Sequence, residues 1–82
     1  MTITVFEKNA CVACTQTKKT LDRAGISYEK TNIMEDETAY DYITKELGHM
    51  AAPVVVVKDD NGKVVNHWSG FQLEQINALS GN

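Results

Sequence analysis

The chain has 82 residues, with eight Lys and Arg against eleven Asp and Glu and a net charge of -3. That length predicts one domain over residues 1–82, and the ordinary apolar and charged fractions argue against disorder. The chain has no basic stripe, which argues against nucleic acid as a partner. No apolar segment is long enough to span a membrane. A four-residue apolar run followed by Glu7 and Lys8 is not a signal peptide, so we expect a cytoplasmic protein. We also expect a monomer.

The first third of the chain predicts a strand, a helix and a second strand. Residues 3–6 are β-branched and aromatic, which favours a short buried strand. Residues 13–24 have helix-forming composition, and Gly25 supplies a helix stop. Residues 26–33 alternate in part and predict a strand parallel to the first, so the unit is β-α-β.

The middle of the chain predicts a second helix. Acidic residues 35–37 favour its first turn, where the helix dipole stabilises negative charge. Tyr40, Ile43 and Leu47 recur at helical spacing and predict its buried face, and Gly48 ends it.

The last third predicts a hairpin and a short helix. Residues 54–57 are all valine, which favours a strand covered on both faces. Residues 59–62 form a turn that contains Asn-Gly, and the return strand runs over residues 63–68. The apolar face of a last helix consists of Leu73, Ile76 and Leu79.

The motif Cys11-Val12-Ala13-Cys14 stands between the first strand and the first helix. On a helix's first turn these cysteines lie close enough to form a disulfide, and the helix N-terminus favours a thiolate. Because the thiolate is the attacking species, the motif predicts dithiol–disulfide exchange. Structural zinc would need His49 and His67 as well, at no recognised ligand spacing, and two unrelated buried cysteines are the third reading.

The positions of the cysteines predict their roles. Cys11 lies at the helix cap and is expected to be the nucleophile, whereas Cys14 is expected to be shielded and to act as the resolving thiol. Lys8, three residues before Cys11, either lowers its pKa by proximity or is an ordinary loop lysine.

The predicted order β-α-β-α-β-β-α, with Cys-x-x-Cys after the first strand, is that of a minimal thioredoxin-like α/β fold. It has a four-stranded mixed sheet flanked by helices. In this pattern Ala52-Pro53 is expected to be a cis bond beside the dithiol, with the Ala52 backbone free to pair with a peptide strand. The alternative is a simple strand-start proline. Trp68, Ser69, Gly70 and Phe71 form a bend whose aromatics are either core residues or a docking surface.

Three motifs together resemble the NrdH-redoxins, which are small glutaredoxin-like proteins: Cys-x-x-Cys, Ala-Pro-Val-Val at residues 52–55 and Trp-Ser-Gly-Phe at residues 68–71. The resemblance covers essentially the whole chain. It implies reduction by thioredoxin reductase with NADPH, and electron donation to the large subunit of class Ib ribonucleotide reductase. It also implies no bound cofactor beyond the redox-active pair Cys11 and Cys14, a cis Pro53, and a partner-binding loop at residues 68–71.

The chain departs from that family at several positions. The cysteines usually enclose Val-Gln, and here Ala13 follows Val12. The family's Arg-Pro-Asp after the Trp-Ser-Gly-Phe loop is Gln72-Leu73-Glu74 here, so the arginine that shapes the loop in relatives is lost. The glutathione-binding signature of glutaredoxins is incomplete too, so we expect weak glutathione binding.

Two other functions remain open from the sequence. One is a glutathione-dependent glutaredoxin, which has the same chemistry but a different reductant. The other is a binding module, a dimer that bridges a metal or an iron–sulfur cluster through Cys11.

Overall fold

A computed structural model describes residues 1–79 of the chain. The strands are β1 (Thr2–Glu7), β2 (Glu29–Asn32), β3 (Val54–Lys58) and β4 (Val64–Ser69). The helices are α1 (Val12–Arg23), α2 (Glu37–Asp41), which continues as a π-helical turn (Tyr42–Glu46), and α3 (Leu73–Leu79). Within residues 1–79, no helix is long and apolar enough to cross a membrane.

The four strands form one mixed sheet in the order β2-β1-β3-β4. Strands β1 and β2 are parallel, as expected for strands joined by a crossover helix. Strand β3 runs antiparallel to β1 and to β4. The predicted element order and the thioredoxin-like α/β fold are therefore confirmed, although β2 is shorter than residues 26–33.

Strand β3 lies inside the sheet, and its four valines are buried on both faces as predicted. Alternate side chains enter different apolar clusters, because successive strand residues point to opposite faces. The α1-face cluster consists of Ile3, Val5, Leu21, Val55, Val57, Trp68 and Ile76. The α2-face cluster consists of Phe6, Ala39, Ile43, Val54 and Val56.

Two helix positions differ from the sequence prediction. Ile43 is buried, but Tyr40 is 47 % exposed and Ala39 takes the buried position. Ala39 and Ile43 are four residues apart and therefore lie on the same helix face, so the face that meets the sheet contains Ala39 in place of Tyr40. In α3, Ile76 is buried and Leu79 packs against the α1-face cluster, whereas Leu73 is 48 % exposed. Leu73 is the first residue of a seven-residue helix that contacts the cluster by its later turn.

The turn predicted at residues 59–62 is confirmed. The Gly62 amide donates to the Asp59 carbonyl oxygen at 3.0 Å, and Gly62 has φ of +80°. The Asp59 carboxylate also accepts from the Asn61 and Lys63 amides. This turn lies at one end of β3, and Pro53 precedes the other end.

Candidate active site

Cys11 is the N-cap residue of α1. Its extended backbone (φ -118°, ψ 105°) turns the chain from the loop after β1 into the helix, and its Sγ accepts a hydrogen bond from the Cys14 amide at 3.2 Å. Ala10, just before it, has φ of +52°, so the chain reverses immediately ahead of the cap. A cap sulfur that already accepts an amide hydrogen bond is better stabilised as a thiolate than as a thiol.

Cys11 and Cys14 are joined by a disulfide, with Cα atoms 5.2 Å apart. Cys14 is 2 % exposed, whereas Cys11 is partly exposed. Val12, between them, is 75 % exposed, and Ala13 is partly buried. An incoming sulfur therefore reaches Cys11 more easily than Cys14, as their sequence positions predict.

The segment before β3 lies against Cys11. The Ala52-Pro53 peptide bond is cis, as expected from the sequence pattern. The Ala52 carbonyl oxygen is 3.8 Å from Cys11 Sγ, and the Pro53 side chain is buried. Residues 41 positions apart in sequence thus meet at one end of the sheet.

The loop after β4 is tied to the same segment. The Gly70 amide donates to the Pro53 carbonyl oxygen at 2.8 Å, and φ of +80° at Gly70 produces the bend. Trp68 is only 3 % exposed and belongs to the α1-face cluster, so it is not part of an exposed docking surface. It pairs with Val55, which turns its ring toward the sheet's α1 side. Phe71 is 38 % exposed and remains available for contact.

Gln72 forms a hydrogen bond within this loop. Its side-chain amide donates to the Ser69 carbonyl oxygen at 2.9 Å. Residue 72 therefore gives the loop a side-chain hydrogen bond even though it is not the arginine that the resemblance leads one to expect.

Lys8 is exposed and lines two neighbouring cavities. With Cys11 and Cys14 it lines a cleft of about 670 Å³, and with Ala52 it lines a smaller cavity of about 130 Å³. Its ammonium group adds positive charge to the surroundings of the dithiol.

An ion pair that the sequence analysis did not identify lines the same cleft. Lys18 Nζ lies 2.5 Å from Glu7 Oε1, and both side chains are largely buried. Strand alternation and helical spacing would have located it. Glu7 shares its strand face with Val5, and Lys18 lies one helical turn after Cys14.

His49 and His67 are brought together although their sequence spacing matches no ligand motif. His49 Nε2 lies 2.7 Å from His67 Nδ1, and the rings meet edge to face with centroids 4.9 Å apart. Burial, and then the charge of His67, lower the pKa of His49. Among residues 1–79, no group of three or more His, Cys, Asp or Glu side chains is placed to hold a metal ion.

The glutaredoxin family model matches residues 3–62. The chain belongs to the glutaredoxin family. The glutaredoxin-like protein NrdH of Salmonella typhimurium is 33% identical over 79 residues, which are 96% of this chain and 89% of that protein. Gene 56 protein of Mycobacterium phage L5 is 35% identical over 77 residues, which are 94% of this chain and 70% of that protein.

The solved structure of the Escherichia coli NrdH-redoxin is similar over almost the whole chain. It superposes with a TM-score of 0.84 at 32% identity, and covers 96% of this chain and 95% of that one. That protein is described as glutaredoxin-like with a thioredoxin-like activity profile. The resemblance to NrdH-redoxins is therefore confirmed, and the chain is a glutaredoxin-like thiol–disulfide oxidoreductase.

Proposed function

We propose that this protein is a cytoplasmic, monomeric electron donor for the large subunit of class Ib ribonucleotide reductase. In this proposal thioredoxin reductase re-reduces it with electrons from NADPH, and it carries no cofactor besides the Cys11–Cys14 pair. The observation that supports it best is that Cys11 lies against Ala52 and that Gly70 is hydrogen-bonded to Pro53. Both contacts occur in a chain that is similar to NrdH proteins over almost its whole length.

The proposed reaction has two exchange steps. The Cys11 thiolate attacks the partner's disulfide, forms a mixed disulfide and releases one partner thiolate. The Cys14 thiolate then attacks Cys11 Sγ, closes the Cys11–Cys14 disulfide and releases the second partner thiolate. An electron pair passes from the dithiol to the partner, whose thiolates take up protons. Thioredoxin reductase runs the reverse sequence on the closed disulfide.

The partner's chain is proposed to lie along the Ala52 backbone, beside Cys11. An extended segment there would form main-chain hydrogen bonds like an added strand. Phe71 and Val12 supply exposed apolar surface for this partner, with Ser69 and Gly70 forming the rest of the bend. Lys8 is proposed to favour the Cys11 thiolate by its charge, and Ala13 sets the spacing of the pair.

A glutathione-dependent glutaredoxin is the second candidate, because the family model that matches is that of glutaredoxins. The two differ in their reductant. The deciding experiment follows NADPH consumption with an insulin-type disulfide substrate, either with thioredoxin reductase or with glutathione and glutathione reductase. We expect turnover with thioredoxin reductase only. Turnover with glutathione only would contradict the proposal and support the second candidate.

The ribonucleotide reductase partner is tested separately by trapping. A Cys14→Ser variant should stop at the mixed disulfide and form a covalent adduct with the oxidised large subunit, which a non-reducing gel detects. Cys11→Ser should form none. If Cys14→Ser still reduced protein disulfides fully, the assigned roles would be wrong.

A further inference from the structure

The resolving thiol sits in surroundings that hinder its ionisation. Cys14 is 2 % exposed, and burial disfavours a thiolate because a charge loses its solvation. Yet Cys14 must lose its proton before it attacks Cys11 Sγ. A buried thiol therefore needs a proton acceptor that lies inside the protein or its cleft.

Glu7 is placed to be that acceptor. It is the last residue of β1, and its alternation with Val5 directs it toward α1. Its side chain is 15 % exposed and lines the same cleft as Cys11 and Cys14. A carboxylate here can take a proton from a thiol in the cleft directly or through one water molecule.

Lys18 holds this carboxylate in the cleft that the dithiol lines. Lys18 and Cys14 are four residues apart on α1, so their side chains share one helix face. Lys18 Nζ contacts Glu7 Oε1 at 2.5 Å with its own side chain 25 % exposed. The ion pair of Asp41 and Lys45, by contrast, is 3.5 Å long and exposed on both sides. A short, largely buried pair keeps its geometry better than an exposed one.

Other titratable groups lie near this pair. Lys8 in the loop before α1 and Lys19 on α1 line the cleft. Tyr28, before β2, interacts electrostatically with Glu7 and Lys18. Its pKa is raised by burial and then by the charge of Asp22. Among the residues that line the cleft, Glu7 is the carboxylate, so it is the anionic group there that can accept a proton.

We propose that Glu7 accepts the Cys14 proton during the second exchange step and that Lys18 is its positioning residue. The Cys14 proton moves to the Glu7 carboxylate while the Cys14–Cys11 bond forms. The bond between Cys11 and the partner sulfur breaks, and the partner leaves as a thiolate. In the reverse direction Glu7 returns the proton to Cys14. This inference rests on the proposed resolving role of Cys14.

The test uses the whole reduced protein and a small aromatic disulfide, dithiobis(nitrobenzoate), whose released thiolate is coloured. Stopped-flow absorbance resolves a first phase that depends on reagent concentration (Cys11 attack) and a second that does not (Cys14 attack). Glu7→Gln keeps the side-chain shape but cannot accept the proton. It should slow the second phase at least about tenfold near neutral pH and leave the first nearly unchanged. The difference should shrink above the ordinary pKa of a thiol, where Cys14 ionises without help.

Two further variants separate the proton transfer from a structural effect. Glu7→Asp retains a carboxylate and should recover part of the second-phase rate. Asp41→Asn makes the same acid-to-amide change in the exposed ion pair and should leave both phases as in the wild type. Urea unfolding of each variant shows whether a rate change follows from lost stability.

An unchanged second phase in Glu7→Gln would overturn the inference. So would a faster one, since that would mean Glu7 only neutralises Lys18. Equal loss in Glu7→Asp and Glu7→Gln would also contradict proton transfer. Because the probe is a small molecule, none of these outcomes depends on either protein partner. A Cys14→Ser control that lacked only the second phase would confirm the resolving role of Cys14, even if the Glu7 substitutions left the second-phase rate unchanged.

Discussion

Helices α1 and α2 begin with the same capping geometry and with different capping atoms. Cys11 caps α1 through a sulfur 3.2 Å from the Cys14 amide, and Asp36 caps α2 through a carboxylate oxygen 3.1 Å from the Ala39 amide. Both cap residues have extended backbones. A first-turn amide thus donates to a carboxylate oxygen at α2 and to a redox-active sulfur at α1.

The helices behind the two caps also differ. Helix α1 is regular over 12 residues, whereas α2 has five residues and then widens into a π-helical turn. A longer regular helix aligns more peptide dipoles behind its cap. We therefore expect the α1 cap to serve chemistry and the α2 cap to serve stability, and substitutions in the two caps and behind them test this division.

The largest expected effect follows from Cys11→Ser. Serine is a strong N-cap residue, so α1 should keep its cap, but the hydroxyl cannot take part in disulfide exchange. We expect complete loss of turnover in the insulin assay. The free energy of unfolding should stay within about 0.5 kcal/mol of the reduced wild type. A large loss of stability would mean that the sulfur has a structural role that serine cannot fill.

Next in size are two matched truncations behind the caps. Leu21 in α1 and Ile43 in the π-helical turn are both buried, at 0 % and 2 % exposed. Leu21→Ala and Ile43→Ala should each cost roughly 2–5 kcal/mol, measured by urea unfolding. The Ile43 variant, where it remains folded, should keep its exchange rate, since α1 carries the dithiol. Impaired exchange in that variant would show that the α2 side also supports the site.

A smaller effect is expected from Asp36→Ala. The Ala39 amide loses its acceptor and the first turn of α2 loses a favourable negative charge, so the protein should be destabilised by about 1 kcal/mol. Dithiol exchange should be unchanged. Asp36→Asn, which keeps an acceptor for the same amide, should recover most of the stability.

The smallest effect concerns pH. His49 contacts β4 through His67, and its pKa is lowered in the folded protein, so below about pH 6.5 the unfolded chain binds the proton more tightly. Stability should therefore fall as pH drops from about 7 through 6.5 toward the folded pKa of His49. A His49→Gln variant should lose this slope in urea titrations at several pH values. A slope that survives in His49→Gln would assign it to other groups.

Much of the site was predictable because its parts are local. The Cys-x-x-Cys spacing, its place between strand and helix, and the all-valine strand after Pro53 depend on residues adjacent in sequence. Trp68 was less predictable, since a tryptophan at a bend is compatible with core or surface. The pairing of β4 with β3 buries it. Tyr40 was misplaced because Ala39 and Tyr40 both have a helical spacing to Ile43, and only packing on the sheet decides which of the two is buried.

By itself, the sequence determined the order of strands and helices, the dithiol at a helix cap and the family to which the chain belongs. These depend on short-range backbone preferences and on patterns a few residues long. The tertiary structure alone decided which distant groups meet: Cys11 with Ala52, Gly70 with Pro53, His49 with His67, and Glu7 with Lys18. Strand order, register and the seating of helices on the sheet place those groups, and these arise only when the whole core packs.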